Sequence, residues 1–137
     1  MFTENGYTKE EMKMYNETRK IMHSDIEVSA TCVRVPVEIA HGESVYFELA
    51  DKNATVSDLE KVLKDFPGVQ VQNDFRKQEY PQPLNAVGSN DTFVGRIRPD
   101  LETAGAFNMW VVADNLLKGA AGNTVQIAEK LVANDWL

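Results

Sequence analysis

Two hydrophobic periods alternate along this chain, and together they restrict it to a fold that mixes helices with sheet. Val56, Leu59, Val62, Leu63 and Phe66 recur at the spacing of one helix face, and Pro67-Gly68 follows to stop the run. Just upstream, Val45, Phe47 and Leu49 fall on every second residue, the period of a strand with one apolar face. A helical period cannot sit as a strand, nor an alternating one as a surface helix, so helices and strands occur together.

The remaining segments follow the same grammar. Thr8 and Glu11 have the spacing of a capping box, in which each side chain satisfies a backbone N–H at a helix start. That helix is expected to reach about Met22, with Met12, Tyr15 and Met22 facing inward. Its charges Glu10, Lys13, Glu17 and Lys20 fit a solvated face laced with weak ion pairs. Glu27–Val37 is rich in Val and Thr and reads as a strand, with Cys32 and Arg34 on one face and Thr31, Val33 and Val35 on the other. Pro36 ends it or places it at an edge. A turn over Glu38–Glu43, carrying His41 and Gly42, leads to a second strand at Ser44–Leu49, so the two read as an antiparallel pair. Val69–Val71 reads as a short strand, and Gln72–Asp91, with Pro81, Pro83 and Gly88, as a long ordered loop of functional or interfacial type. Strands are expected at Thr92–Arg98 and Phe107–Ala113. A final helix begins near Asn115 and ends at Val132 or Ala133. The order of elements predicts an α+β layer, a mainly antiparallel or mixed sheet packed against helices, in one domain spanning residues 1–137.

Composition narrows the partners. A length of 137 residues suits one core, and a net charge of −7 disfavours the clustered Lys and Arg by which proteins hold nucleic acid or anionic lipid. No apolar run reaches the roughly 18–20 residues of a membrane span, and the first residues lack the basic and apolar blocks of a secretory signal. One cysteine and two histidines, none closely spaced, make no zinc set, and no metal is expected. These features together point to a reducing, cytoplasmic setting.

Three stretches are candidates for chemistry. Arg34 offers a planar fork that matches a carboxylate, and His41 can exchange a proton near neutral pH. The same pair also fits an exposed turn histidine and an arginine held by an acidic neighbour such as Glu38. Cys32 shares its face with Arg34 and precedes His41, which suggests a nucleophile, but a cysteine inside a Val-rich strand better fits a small core residue with an inert thiol. Gly119 and Gly122 fall inside the last helix, where each costs about 1 kcal/mol relative to alanine. Close approach to a neighbouring element or ligand would account for them, as would small-residue packing against another helix. The chain has no GxGxxG after a strand and no GxxxxGK[ST], hence no phosphate-cradling loop of its own.

Several of these stretches are recognisable as a set. Thr-Lys-Glu-Glu-Met-Lys at 8–13, Ser-Ala-Thr-Cys-Val-Arg-Val-Pro-Val at 29–37 with His41, Asn-Ala-Val-Gly-Ser at 85–89, Phe-Val-Gly-Arg-Ile-Arg at 93–98 and Trp-Val-Val-Ala-Asp-Asn-Leu-Leu-Lys-Gly-Ala-Ala at 110–121 closely resemble the aspartate-semialdehyde dehydrogenase family, most strongly its Gram-positive bacterial type. The resemblance covers nearly the whole chain, in order, and lies in the family's C-terminal dimerisation and substrate-binding region. It implies the C-terminal fold of the glyceraldehyde-3-phosphate dehydrogenase-like enzymes and a homodimer. It also implies a reaction in which L-4-aspartyl phosphate is reduced by NADPH to L-aspartate 4-semialdehyde with release of phosphate, in the biosynthesis of lysine, threonine and methionine.

On that resemblance His41 matches the acid–base histidine, Arg34 the arginine that clamps the substrate α-carboxylate, Glu10 the glutamate that holds its amino group and Lys13 the lysine that binds phosphate. The segment from Asn115 to Ala121 matches the stretch approaching the nicotinamide, which assigns Asn115 and Gly119 to the cofactor. The family's nucleophilic cysteine and its NADP-binding Rossmann domain, which holds most of the cofactor, would lie upstream. Cys32 matches a position that is not the nucleophile. The resemblance therefore implies a chain inactive alone. The alternative is a non-catalytic dimerisation or acidic-amino-acid-binding module that keeps the fold.

Overall fold

A computed structural model of the chain describes residues 1–136. They group into two compact units, Met1–Pro36 and the remainder from Val37 on.

The first unit is built on helix α1, Lys9–Met22. Its start is the expected capping box: Thr8 accepts from Glu11 N at 3.2 Å, and the Glu11 carboxylate accepts from Thr8 N at 2.7 Å. The chain leaves the helix through His23, whose φ of 47° is the left-handed cap conformation. Met12 is half-buried as expected. Tyr15 and Met22 are exposed instead, because the residue that α1 buries most deeply is Glu11.

The strand expected over Glu27–Val37 does not form; residues 25–35 carry no regular structure. Side chains of α1 take up backbone groups that a ladder would otherwise satisfy. Glu11 Oε1 accepts from Cys32 N at 2.8 Å, and Arg19 Nε donates to Ile26 O at 2.9 Å. A Val-rich segment tied down in this way has no need of a strand partner. The expected alternation of Cys32 and Arg34 against Val33 and Val35 therefore has no strand to act on. The expected pairing with Ser44–Leu49 is replaced as well.

The second unit is a four-stranded mixed sheet in the order β1-β4-β3-β2, counted among the described residues. Strand β1, His41–Glu48, is antiparallel to β4, Ala106–Ala113, which is antiparallel to β3, Thr92–Pro99; β2, Val69–Val71, joins β3 in parallel. Within β1, Val45 and Phe47 are half-buried and Tyr46 and Glu48 exposed, as the alternation predicts. Phe47 lies opposite Phe107 in the register and stacks on it, ring centroids 5.8 Å apart.

Helix α2, Val56–Asp65, opens with a second capping box between Thr55 and Asp58 and packs on β2 and β3. The parallel β2–β3 pair is connected by the ordered loop that follows β2, residues 72–91, the longer connection that parallel strands require. That loop contains a bridge between Asp74 and Glu79 and a short helix α3, Pro83–Ala86. Past the end of β2, the Asn73 side chain extends the ladder: its Oδ1 accepts from Ile97 N at 2.9 Å and its Nδ2 donates to Glu60 of α2 at 2.7 Å. This holds the bulge between Gly95 and Arg98, where Arg96 takes a φ of 54°. Gly95 is obligatory beside it, since a Cβ there would strike Gln72 O and the Pro81 ring.

Within the core of this unit, Ala40, Ala86 and Val112 form a buried cluster with Phe93 and Trp110 packed against it. Trp110 donates from Nε1 to Pro81 O at 3.1 Å, which fastens the loop to the sheet. The last helical segment is divided: a π-helical turn, Leu117–Ala121, runs into helix α4, Gly122–Ala133. No helix among the described residues is long and apolar enough to cross a membrane.

Candidate functional site

In the first unit, Glu10 and Lys13 lie on the exposed face of α1, one turn apart, and Lys13 Nζ meets Glu10 Oε1 at 3.0 Å. The hydrogen bond to Glu10 and its negative charge, with a further contribution from Glu17, hold the Lys13 ammonium above its ordinary pKa. Lys13 is thus a fixed cation. An exposed pair of this kind contributes little to stability and leaves both heads open to solvent. Arg34 lies exposed in the coil after α1 and not on a strand. Cys32 is half-buried, with its Sγ 3.7 Å from Met14 Sδ.

In the second unit, His41 is the first residue of β1, not part of a turn, and it faces Ala113 in the register. Asn115 lies two residues beyond Ala113. Its Oδ1 accepts from Ala40 N at 2.7 Å, so the structure brings His41 and Asn115 to the same end of the sheet. Asn115 Nδ2 has no hydrogen-bond partner among the described residues. Gly119 is exposed on the π-helical turn, and a Cβ there would meet Asn115 Cβ and Asp114 O only at 3.7 and 3.8 Å, ordinary contact distances. No contact among the described residues requires glycine at 119. Gly122 differs, because a Cβ there would collide with Asn90 Oδ1 and crowd Leu117 O at 3.0 Å.

Two carboxylates that the sequence did not single out for this purpose organise these elements. Asp114 is buried, at 3% exposure, although every hydrogen bond it accepts comes from backbone: Gly88 N at 2.8 Å, Leu116 N at 2.8 Å and Leu117 N at 2.9 Å. These N–H groups, Gly88 first, then Leu117 and Leu116, hold its pKa below the ordinary aspartate value against the opposing effect of desolvation. Asp114 thereby joins the loop before β3 to the start of the π-helical turn. Glu11 does the equivalent in the first unit; hydrogen bonds from Thr8 N and then Cys32 N lower its pKa. The available signal for Asp114 was its place, an Asp directly after a strand and three residues before a helical turn.

No group of three or more His, Cys, Asp or Glu suited to a metal ion occurs among the described residues. The first unit exposes a cation and an anion on α1 and an arginine in the coil that follows; the second places a histidine at the start of β1.

Residues 1–118 match the family described as semialdehyde dehydrogenase, dimerisation domain. The chain belongs to this semialdehyde dehydrogenase family. It is 60% identical over 131 residues to an aspartate-semialdehyde dehydrogenase of Bacillus subtilis (strain 168), a match covering 95% of this chain and 38% of the relative. Among solved structures it superposes with a TM-score of 0.87 on the aspartate semialdehyde dehydrogenase II of Vibrio cholerae complexed with ASA, at 43% identity, covering 97% of this chain and 39% of that one. A Candida albicans aspartate semialdehyde dehydrogenase with NADP gives a TM-score of 0.75 at 28% identity, covering 96% of this chain and 44% of that one. The chain thus spans about two fifths of the length of the dehydrogenases it matches. The family match takes in both compact units and the positions of Glu10, Lys13, Arg34, His41 and Asn115, and it stops one residue short of Gly119.

Proposed function

We propose that this chain is the dimerisation and substrate-binding part of a cytoplasmic, homodimeric aspartate-semialdehyde dehydrogenase, and that its two units act as one functional domain in that enzyme. The observation that carries this reading is the 60% identity to the Bacillus subtilis dehydrogenase over 95% of the chain.

The residues fit the substrate chemically. L-4-Aspartyl phosphate carries an α-ammonium, an α-carboxylate and a phosphate. Glu10 neutralises the ammonium, Arg34 holds the carboxylate with a bidentate fork, and Lys13, kept protonated by its neighbours, meets the phosphate. Binding the substrate exchanges the Glu10–Lys13 ion pair for two pairs with the ligand. This exchange is inexpensive because both side chains are already in water. His41 gives and takes the proton of the reacting centre, a role suited to imidazole near neutral pH.

The NADP cofactor supplies hydride when bound. Asn115 Nδ2, a donor with no partner among the described residues, suits the oxygen of a carboxamide, and the bare backbone at Gly119 leaves room beside it. Most of the cofactor's contacts, and the nucleophilic thiol, belong to the part of such enzymes that this chain does not match.

Isothermal titration of the chain with aspartate, succinate and inorganic phosphate tests retained recognition. The dicarboxylates are expected to bind at millimolar strength, with binding lost in Arg34→Ala. Binding that survives Arg34→Ala would remove the carboxylate role from this residue.

A further inference from the structure

We propose that Asn115 is a positioning residue for His41: by accepting from Ala40 N it holds the residue before the histidine in a backbone conformation that the sequence alone would not keep. This deepens the acid–base reading of His41, and only its catalytic consequence rests on that reading.

Ala40 has a φ of 83°, in the left-handed region that non-glycine residues avoid because of their Cβ. Strain of this kind persists only where the surroundings impose it, and two groups do so here. Ala40 is buried at 7% exposure among Ala86 and Val112, and its N–H donates to Asn115 Oδ1 at 2.7 Å from a position 75 residues distant in the chain. The next residue, His41, enters the β1–β4 ladder opposite Ala113. Its backbone is therefore held by the sheet on one side and follows, on the other, a residue whose own N–H is clamped. A direction set in this way decides where the first exposed side chain of β1 points.

Asn115 is itself fixed. The residue before it, Asp114, caps Leu116 N and Leu117 N and also binds Gly88 N, which sets the turn between β4 and the π-helical segment. With Oδ1 committed to Ala40, Nδ2 of the same amide has no partner among the described residues. One side chain thus has its acceptor on the N–H of the residue before the histidine and its donor open to a ligand. The amide orientation that a cofactor would select is the one that clamps His41.

The test is imidazole and amide NMR on the chain, in which the only other histidine, His23 at the end of α1, serves as an internal control. In the wild type the Ala40 amide should exchange with solvent as slowly as ladder amides of β4. In Asn115→Ala that protection should be lost, and the His41 imidazole signals should shift and broaden while those of His23 stay in place. Asn115→Asp, whose carboxylate oxygen still accepts from Ala40 N, should restore protection and narrow the His41 lines. An Ala40 amide that exchanges freely in the wild type would overturn the proposal, even if Asn115→Ala failed to fold. Unchanged His41 signals in a folded Asn115→Ala, or equal changes at both histidines, would overturn it too. None of these results bears on whether His41 moves a proton, which His41→Asn tests separately in the assembled enzyme.

Discussion

Asp114 sits where three backbone N–H groups converge, and a carboxylate is the one side chain whose two oxygens can accept from all three at once. Its presence just after β4 was visible in the sequence, but its importance was not. Nothing local announces that Gly88, 26 residues away, will reach it. The same holds for Glu11, legible as half of a capping box yet silent about its second bond to Cys32 N. The pH consequence for Asp114 can be worked out. Its folded pKa is lowered, so its contribution to stability is fully present above the unfolded value of about 3.9 and is lost as pH falls through the folded one. Asp114→Asn replaces one acceptor oxygen with a donor facing a donor. We expect thermal unfolding of this variant to lie below wild type at pH 7, with the gap closing as the pH is lowered beneath 4. A gap independent of pH would remove the charge from the explanation.

At the scale of elements, α1, α2, β2 and the antiparallel strands were readable because each carries its own signal, a period, a cap or a stop. The failure at Glu27–Val37 shows what that signal omits. Val and Thr favour a strand only where a neighbour offers a ladder, and here α1 supplies carboxylate and guanidinium groups instead. The final helix was placed correctly but not its division, and the π-helical turn arises where Asp114 caps backbone N–H groups at its start. The two glycines of this segment, equivalent in the sequence, separate in the structure. Gly122→Ala must displace the Asn90 side chain and crowd Leu117 O, which offsets the propensity gain, so it is expected to lie about 1 kcal/mol below Gly119→Ala in stability. Gly119→Ala meets only ordinary contacts and should lie between no change and a gain of about 1 kcal/mol. Urea unfolding of the two variants checks both values. A Gly119→Ala variant that is stable in the chain yet weakens NADP binding in the assembled enzyme would assign that glycine to the ligand, whereas one that unfolds would return it to packing.

At the scale of the molecule, the sheet order, with β4 central and β2 parallel to β3, could not be read from any one segment, because pairing partners are chosen by the whole chain. Membership of the family could be read, since its motifs are local and ordered. The proposed function divides the labour: in it, this chain supplies the groups for the ionic ends of the substrate and for the proton, and the attacking thiol comes from the part of the dehydrogenases that the chain does not match. The most direct measurement joins the remainder of the Bacillus subtilis relative in frame ahead of this chain and follows phosphate-dependent reduction of NADP by L-aspartate 4-semialdehyde. The chimera should turn over, should lose on the order of 10²–10⁴-fold in kcat on His41→Asn, and should keep its activity on Cys32→Ser. Turnover that is indifferent to His41→Asn, or abolished by Cys32→Ser in a folded protein, would contradict the account.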